Sequence, residues 1–167
     1  MKRFLAVIDW INDQAGKIVS FLVVFMVGVM VYEVIARYVF DSPTAWAYET
    51  VTFLLATYSI LGGAYVLRHQ GHVNMDILYS RLSLRRRAIL DLVTSALFFL
   101  LCAVLMWKGI DWAMRSIRLA ETTTSTFAAP VYPIKAMIPL GTFLLLIQGL
   151  AKFIRDLMTA VTGVKPE

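Results

Sequence analysis

Apolar positions fall into four long runs, and charged positions gather at their ends. The first run covers about 18–40 and meets no charge before Glu33 and Arg37. The second, about 48–67, is free of charge from Thr50 to Leu67 and stops at Arg68. The third, about 88–107, holds Asp91 one turn inside, and the fourth, about 136–153, closes around Lys152, Arg155 and Asp156. A helix rises ~1.5 Å per residue, so about 20 apolar residues carry it across a ~30 Å hydrocarbon layer. The pattern predicts an all-α integral membrane protein, a single membrane domain over residues 1–167 with four transmembrane helices.

Shorter periodic segments surround these runs. In residues 3–16, Phe4, Val7, Ile8, Ile11 and Ala15 recur at helical spacing, with Lys2, Arg3, Asp9, Asn12 and Asp13 mostly opposite. That predicts a short amphipathic interfacial helix with Trp10 at headgroup depth. Asp9, Asn12 and Asp13 also interrupt what resembles a signal sequence, so the N-terminus is expected to be retained. Val73, Ile77, Leu78 and Leu82 predict a second interfacial helix over 73–82, with Ser83 capping the third span. In the turn Asp41-Ser42-Pro43, Ser42 suits an N-cap and Pro43 a first helical position. Past Trp107, the residues Ile110, Ala113, Met114 and Ile117 keep helical spacing, which predicts an arm leaving the membrane and ending at Thr122–Thr126. Pro130 and Pro133 are expected to keep the chain extended up to Lys135.

Charge placement orients this plan. With the N-terminus inside, Lys2, Arg3, Lys17, Arg68, Arg81, Arg85, Arg86, Arg87, Lys152, Arg155 and Lys165 lie on the inner side. Arg37, Lys108, Arg115, Arg118 and Lys135 lie on the outer side. The positive-inside rule then gives both termini in the cytoplasm. The chain is 59% hydrophobic and only 16% charged, against about 25% charged in an average soluble domain. Its net charge of +5 comes from residues at span ends, without a basic face interleaved with aromatics, so nucleic acid is not an expected partner but membrane lipid is.

Candidate chemistry is sparse. The single Cys102 lies in an apolar run and excludes a disulfide framework. His69 and His72 share one segment and do not form the facing pair of a haem anchor. Without a phosphate loop, zinc motif or nucleophile elbow, the chain is not expected to be an enzyme or to hold a cofactor or metal. The intramembrane charges carry the remaining interest. Glu33 and Arg37 are spaced i, i+4 in the favourable order, which favours a structural acid over a proton carrier. Ser59, Gly62 and Gly63 make a small-residue patch that admits a neighbouring helix closely.

Arg37-Tyr38-Val39-Phe40-Asp41-Ser42-Pro43, followed by Trp46 and Glu49, resembles the small membrane subunit of the tripartite ATP-independent periplasmic (TRAP) transporters. Gly62-Gly63-Ala64, Arg68, Gly71-His72-Val73, Asp76 and the run Pro133–Gly141 continue the resemblance in order and spacing along nearly the whole chain. Ala47-Tyr48-Glu49 departs from it, since many relatives carry two acids there. The resemblance implies a heterodimer with a large membrane subunit that holds the solute and sodium sites. It also implies a periplasmic solute-binding protein and sodium-coupled uptake of organic acids at the bacterial inner membrane. On that footing Glu33, Arg37, Trp46, Glu49, Ser59, Gly62 and Gly63 are candidates for the partner interface. Asp41, Asp111, Arg115 and Arg118 are candidates for periplasmic docking. Two alternatives stand beside it: a self-sufficient proton-coupled small multidrug exporter using Glu33, and an anchor or assembly subunit of another membrane complex.

Overall fold

The computed structural model describes residues 2–69 and 84–162. Over them the chain forms four helices: α1 (Lys2–Tyr38), α2 (Ala45–Arg68), α3 (Leu84–Arg118) and α4 (Tyr132–Thr162). Each is long and apolar enough to cross a bilayer. The shortest, with 24 residues, measures ~36 Å at ~1.5 Å per residue, more than the ~30 Å hydrocarbon layer. The interfacial helix expected over 73–82, and His72 with it, lie outside the described residues.

At the N-terminus the fold departs from the expectation of a separate surface helix over 3–16. α1 is one unbroken helix. Its buried positions, Leu5, Ile8, Asn12, Val19, Met26, Val29, Glu33 and Ala36, keep one three-and-four spacing throughout. Half-buried Ala15 and Leu22 fill the gaps in that stripe. A 3.5-residue repeat that runs through 16–18 leaves no place for a break. The packed stripe also mixes the two expected faces, taking Ile8 and Ala15 from the apolar side and Asn12 from the polar side. Asn12 is 1% exposed, whereas Val7 and Trp10 are 54% and 63% exposed.

Helix ends supply two further corrections. The N-cap of α2 is Thr44, not Ser42, and the helix opens at Ala45. Asp41 takes a left-handed φ of 48° to carry the chain round, a conformation that aspartate tolerates better than most residues. α4 opens at Tyr132, so Pro133 lies in its first turn instead of in an extended stretch. The missing N–H costs nothing there, because first-turn donors have no helical acceptor. α3 continues to Arg118, as the periodicity past Trp107 predicts.

The helices pack α1 on α2, α2 on α4 and α4 on α3, and the first turns of α1 also reach α4. Because α3 is held almost wholly through α4, the array stays open. Large apolar side chains such as Phe21, Phe25, Leu97 and Leu101 are more than half exposed. In water this surface would be a liability; against lipid or another membrane helix it is the normal outer face.

At the end where α1 begins and α2 and α4 finish, a polar network crosses three helices. Asp9 accepts from Arg155 at 2.6 Å and from Gln148 at 3.2 Å, with Arg68 at 3.8 Å. Arg68 also pairs with Asp13 and donates to the Asp9 main-chain carbonyl. Asn12 donates to Gln148 at 2.7 Å. Leu5, Ile8 and Ala151 form the apolar cluster beside it.

Candidate functional site

The other end of the array carries the α1–α2 turn and the 119–131 loop. Glu33, 6% exposed, projects from the last turns of α1. Its Oε1 accepts from Arg37, through Nε at 3.1 Å and through a second guanidinium nitrogen. Its Oε2 accepts from the Thr44 main-chain N–H at 3.2 Å and from the Thr44 hydroxyl. Thr44 makes no side-chain cap bond to its own helix. A carboxylate from α1 therefore supplies the negative charge that the start of α2 favours, and closes the hairpin. Spacing alone reveals the Arg37 pairing. The Thr44 contact spans a turn whose geometry no periodicity encodes. The Tyr32 and Trp46 rings lie 5.7 Å apart beside it.

Glu49 ties α2 to the loop, accepting from the Thr123 hydroxyl at 3.0 Å. The loop closes on itself through Thr123 N–H to the Ala129 carbonyl and Val131 N–H to the Glu121 carbonyl, each 2.9 Å. Ala120 and Ala128 hold φ values of 44° and 49°. A left-handed backbone costs a non-glycine residue about 1–2 kcal/mol, and these cross-ties hold it in place. Lys135 adds a 2.6 Å ion pair to Glu121. The lysine, hydrogen-bonded to that carboxylate, holds the Glu121 carboxyl below the ordinary carboxylate range.

A depressed folded-state value means that the ionised form stabilises the fold. Its contribution is full above the unfolded-state value and is lost as pH falls through the folded one. Thermal midpoints of the wild type and Glu121→Gln, followed from neutrality into the acid range, should differ at neutral pH and converge in acid. Parallel curves would show that the Glu121–Lys135 pair does not stabilise the loop.

The remaining predicted positions divide. Asp111, Arg115 and Arg118 are exposed and line one shallow groove of about 290 Å³ on α3, with Met114 and Leu119. Asp41, exposed on the α1–α2 turn, is not among its walls. Ser59 is exposed, and a Cβ at Gly62 would meet nothing within 4 Å. A Cβ at Gly63 would stand 3.0 Å from Leu145 of α4, so this glycine faces inward. Beside the outward pair, α1 and α2 enclose an apolar groove of about 470 Å³ that includes Val27, Met30, Val34, Val51 and Leu55. The polar network of Asp9, Asn12, Arg68, Gln148 and Arg155 has no counterpart among the sequence expectations. Gln148 gives the signal for it: an amide inside an apolar run needs a partner.

Residues 26–159 match the family model described as Tripartite ATP-independent periplasmic transporters, DctQ component. Over 90 residues the chain is 29% identical to the C4-dicarboxylate TRAP transporter small permease protein DctQ of Vibrio cholerae serotype O1. The matched stretch takes in 52% of this chain and 39% of that protein, so the chain spans about two-fifths of the length of the curated relative it matches.

Proposed function

Because the chain belongs to the DctQ component family of the tripartite ATP-independent periplasmic transporters, we propose that it is the scaffold on which a large membrane subunit is held and a periplasmic binding protein docks. A DctQ component is a transporter subunit and not an enzyme, a multi-pass membrane protein that works with the other TRAP components. The transport reading is sodium-coupled uptake of an organic acid at the inner membrane. The Vibrio cholerae relative, a C4-dicarboxylate transporter protein by name, suggests a C4-dicarboxylate as the solute class.

The observation that carries the scaffold role is how the chain disposes of its polar and apolar groups. Both Glu33 oxygens are engaged within the hairpin, which suits a fixed structural acid better than a proton carrier. Wide apolar flanks, with Ser59 and Gly62 facing outward, are left bare for a larger membrane partner. The arginine-rich end of the array goes to the cytoplasm by the positive-inside rule. The α1–α2 turn, the α3 groove and the 119–131 loop then face the periplasm. Asp41, Asp111, Arg115 and Arg118 become the docking charges, steering a soluble partner by long-range attraction.

Purification in gentle detergent followed by mass spectrometry tests this. A large multi-span protein recovered in one-to-one ratio is the expected result. Recovery of this chain as a homodimer, with no second membrane protein, would overturn the scaffold role and return Glu33 to the exporter alternative.

A further inference from the structure

We propose that the outer part of the α3–α4 hairpin, residues 110–138, tilts as one body about a hinge at Gly109 and Pro139, and that the hydrogen bond from Thr123 to Glu49 is the latch that holds it against α2. The two hinge residues face each other. A Cβ at Gly109 would stand 3.4 Å from both the nitrogen and the Cδ of Pro139, and 3.0 Å from the Ile138 Cγ2. Each residue weakens its own helix at that level. Pro139 lies inside α4 and has no N–H, so the Lys135 carbonyl loses its i+4 donor. The next carbonyl at the hinge, that of Ile138, accepts the Thr142 hydroxyl at 2.8 Å, a side-chain bond of the kind that bends helices. Gly109 is buried in the interior of α3, where only proline is a poorer helix former than glycine.

The parts on either side of that level are braced. Below it, Gly141 brings α4 so close to α2 that a Cβ there would stand 2.8 Å from the Ile60 carbonyl oxygen. Gln148 and Arg155 tie the rest of α4 to α1. Above it, the Lys135–Glu121 ion pair and the main-chain bonds of Thr123 to Ala129 and Val131 to Glu121 join the end of α3, the loop and the first turns of α4. Glu33 fixes the neighbouring α1–α2 hairpin through Thr44, which makes α2 the stationary side. Among the described residues, the 3.0 Å bond from the Thr123 hydroxyl to Glu49 is the one hydrogen bond between residues 110–138 and α1 or α2, and no ion pair joins them. Arg118 lies nine residues, ~14 Å, beyond Gly109, so a bend of about 20° would move it by roughly 5 Å. The groove of Asp111, Arg115 and Arg118 rides on the moving part, and its aim changes with the latch. Neither hinge nor latch depends on which large subunit or solute the chain serves.

The full chain, in the complex in which it leaves the membrane, is placed in lipid nanodiscs and read by pulsed electron double resonance. Cys102→Ala removes the one native thiol. Tyr48→Cys on α2 and Thr126→Cys on the loop, both exposed positions, carry the spin labels. The expected result is two label separations about 5 Å apart, the shorter predominating. Thr123→Val keeps the side-chain shape and removes the donor. It should raise the ratio of long to short separations about tenfold, the scale of one hydrogen bond to a charged acceptor. Adding Pro139→Ala, which supplies the missing N–H, should return the sample to the short separation alone. Thr123 Oγ1 also lies 3.2 Å from the Ser125 hydroxyl, so Ser125→Ala is the control and should leave the ratio unchanged. A single separation that Thr123→Val does not alter overturns the proposal. A shift as large in Ser125→Ala would assign the effect to the loop's own structure and overturn the latch. A long separation that persists with Pro139→Ala overturns the hinge.

Discussion

Gly141→Leu is expected to destabilise the fold by about 3 kcal/mol, whereas Gly62→Leu should leave stability within about 0.5 kcal/mol of the wild type. The two glycines differ in what a side chain would meet. At Gly141 a Cβ would stand 2.4 Å from the Ile60 Cγ2 and 2.8 Å from the Ile60 carbonyl oxygen. The methyl group could rotate away, but the carbonyl belongs to the α2 backbone, so α2 and α4 would have to move apart. At Gly62 the space is open, and added helix propensity offsets any local loss. Denaturation of the purified chain in detergent reads the first effect. Copurification with the large subunit reads the second, because Gly62→Leu should fold normally and still weaken association if the outward face of α2 meets that partner. Equal stability of the two variants would mean that the α2–α4 contact does not set the fold.

This pair also shows what periodicity makes legible. Four long apolar helices, the continuation of α3 to Arg118 and the Glu33–Arg37 pair are readable because each is local: an apolar run, a helical repeat, an i, i+4 spacing. The small-residue patch at 59–63 is readable as composition but not as direction. Gly63 turns toward Leu145, whereas its neighbour Gly62 turns outward. The glycines that set close helix approach within the chain are elsewhere. A Cβ at Gly16 would meet the Tyr65 ring, and one at Gly149 the Phe98 ring. Gly149 stands in no small-xxx-small spacing, and at both positions the opposing surface is a large side chain and not a second small residue. The Thr44 and Thr123 contacts with Glu33 and Glu49 are likewise invisible to local pattern, since each partner is placed by a turn or loop.

Asp9→Leu separates the two readings of the N-terminal segment by the sign of its effect. If residues 3–16 lay on the membrane surface with Asp9 toward water, a leucine there would be neutral or would strengthen lipid contact. In the fold, Asp9 is instead the acceptor for Arg155 and Gln148 and a neighbour of Arg68. Removing one partner of a buried ion pair costs about 3–5 kcal/mol, largely because the other charge is left without compensation. Here the arginine side chains keep 31% and 26% of their surface exposed, so solvent takes up part of that loss. The expected destabilisation is about 2 kcal/mol. The double variant Asp9→Leu with Arg155→Met should recover part of it, since it removes both charges of the 2.6 Å pair. Stabilities of the two single variants and the double variant, measured as a cycle, give the coupling directly. A cycle that closes without coupling would mean that the Asp9–Arg155 pair adds nothing to the α1–α4 contact and leaves it to the Asn12–Gln148 hydrogen bond and the cluster of Leu5, Ile8 and Ala151. A coupling of about 1 kcal/mol or more would place the polar network among the forces that fix α1 as one continuous helix.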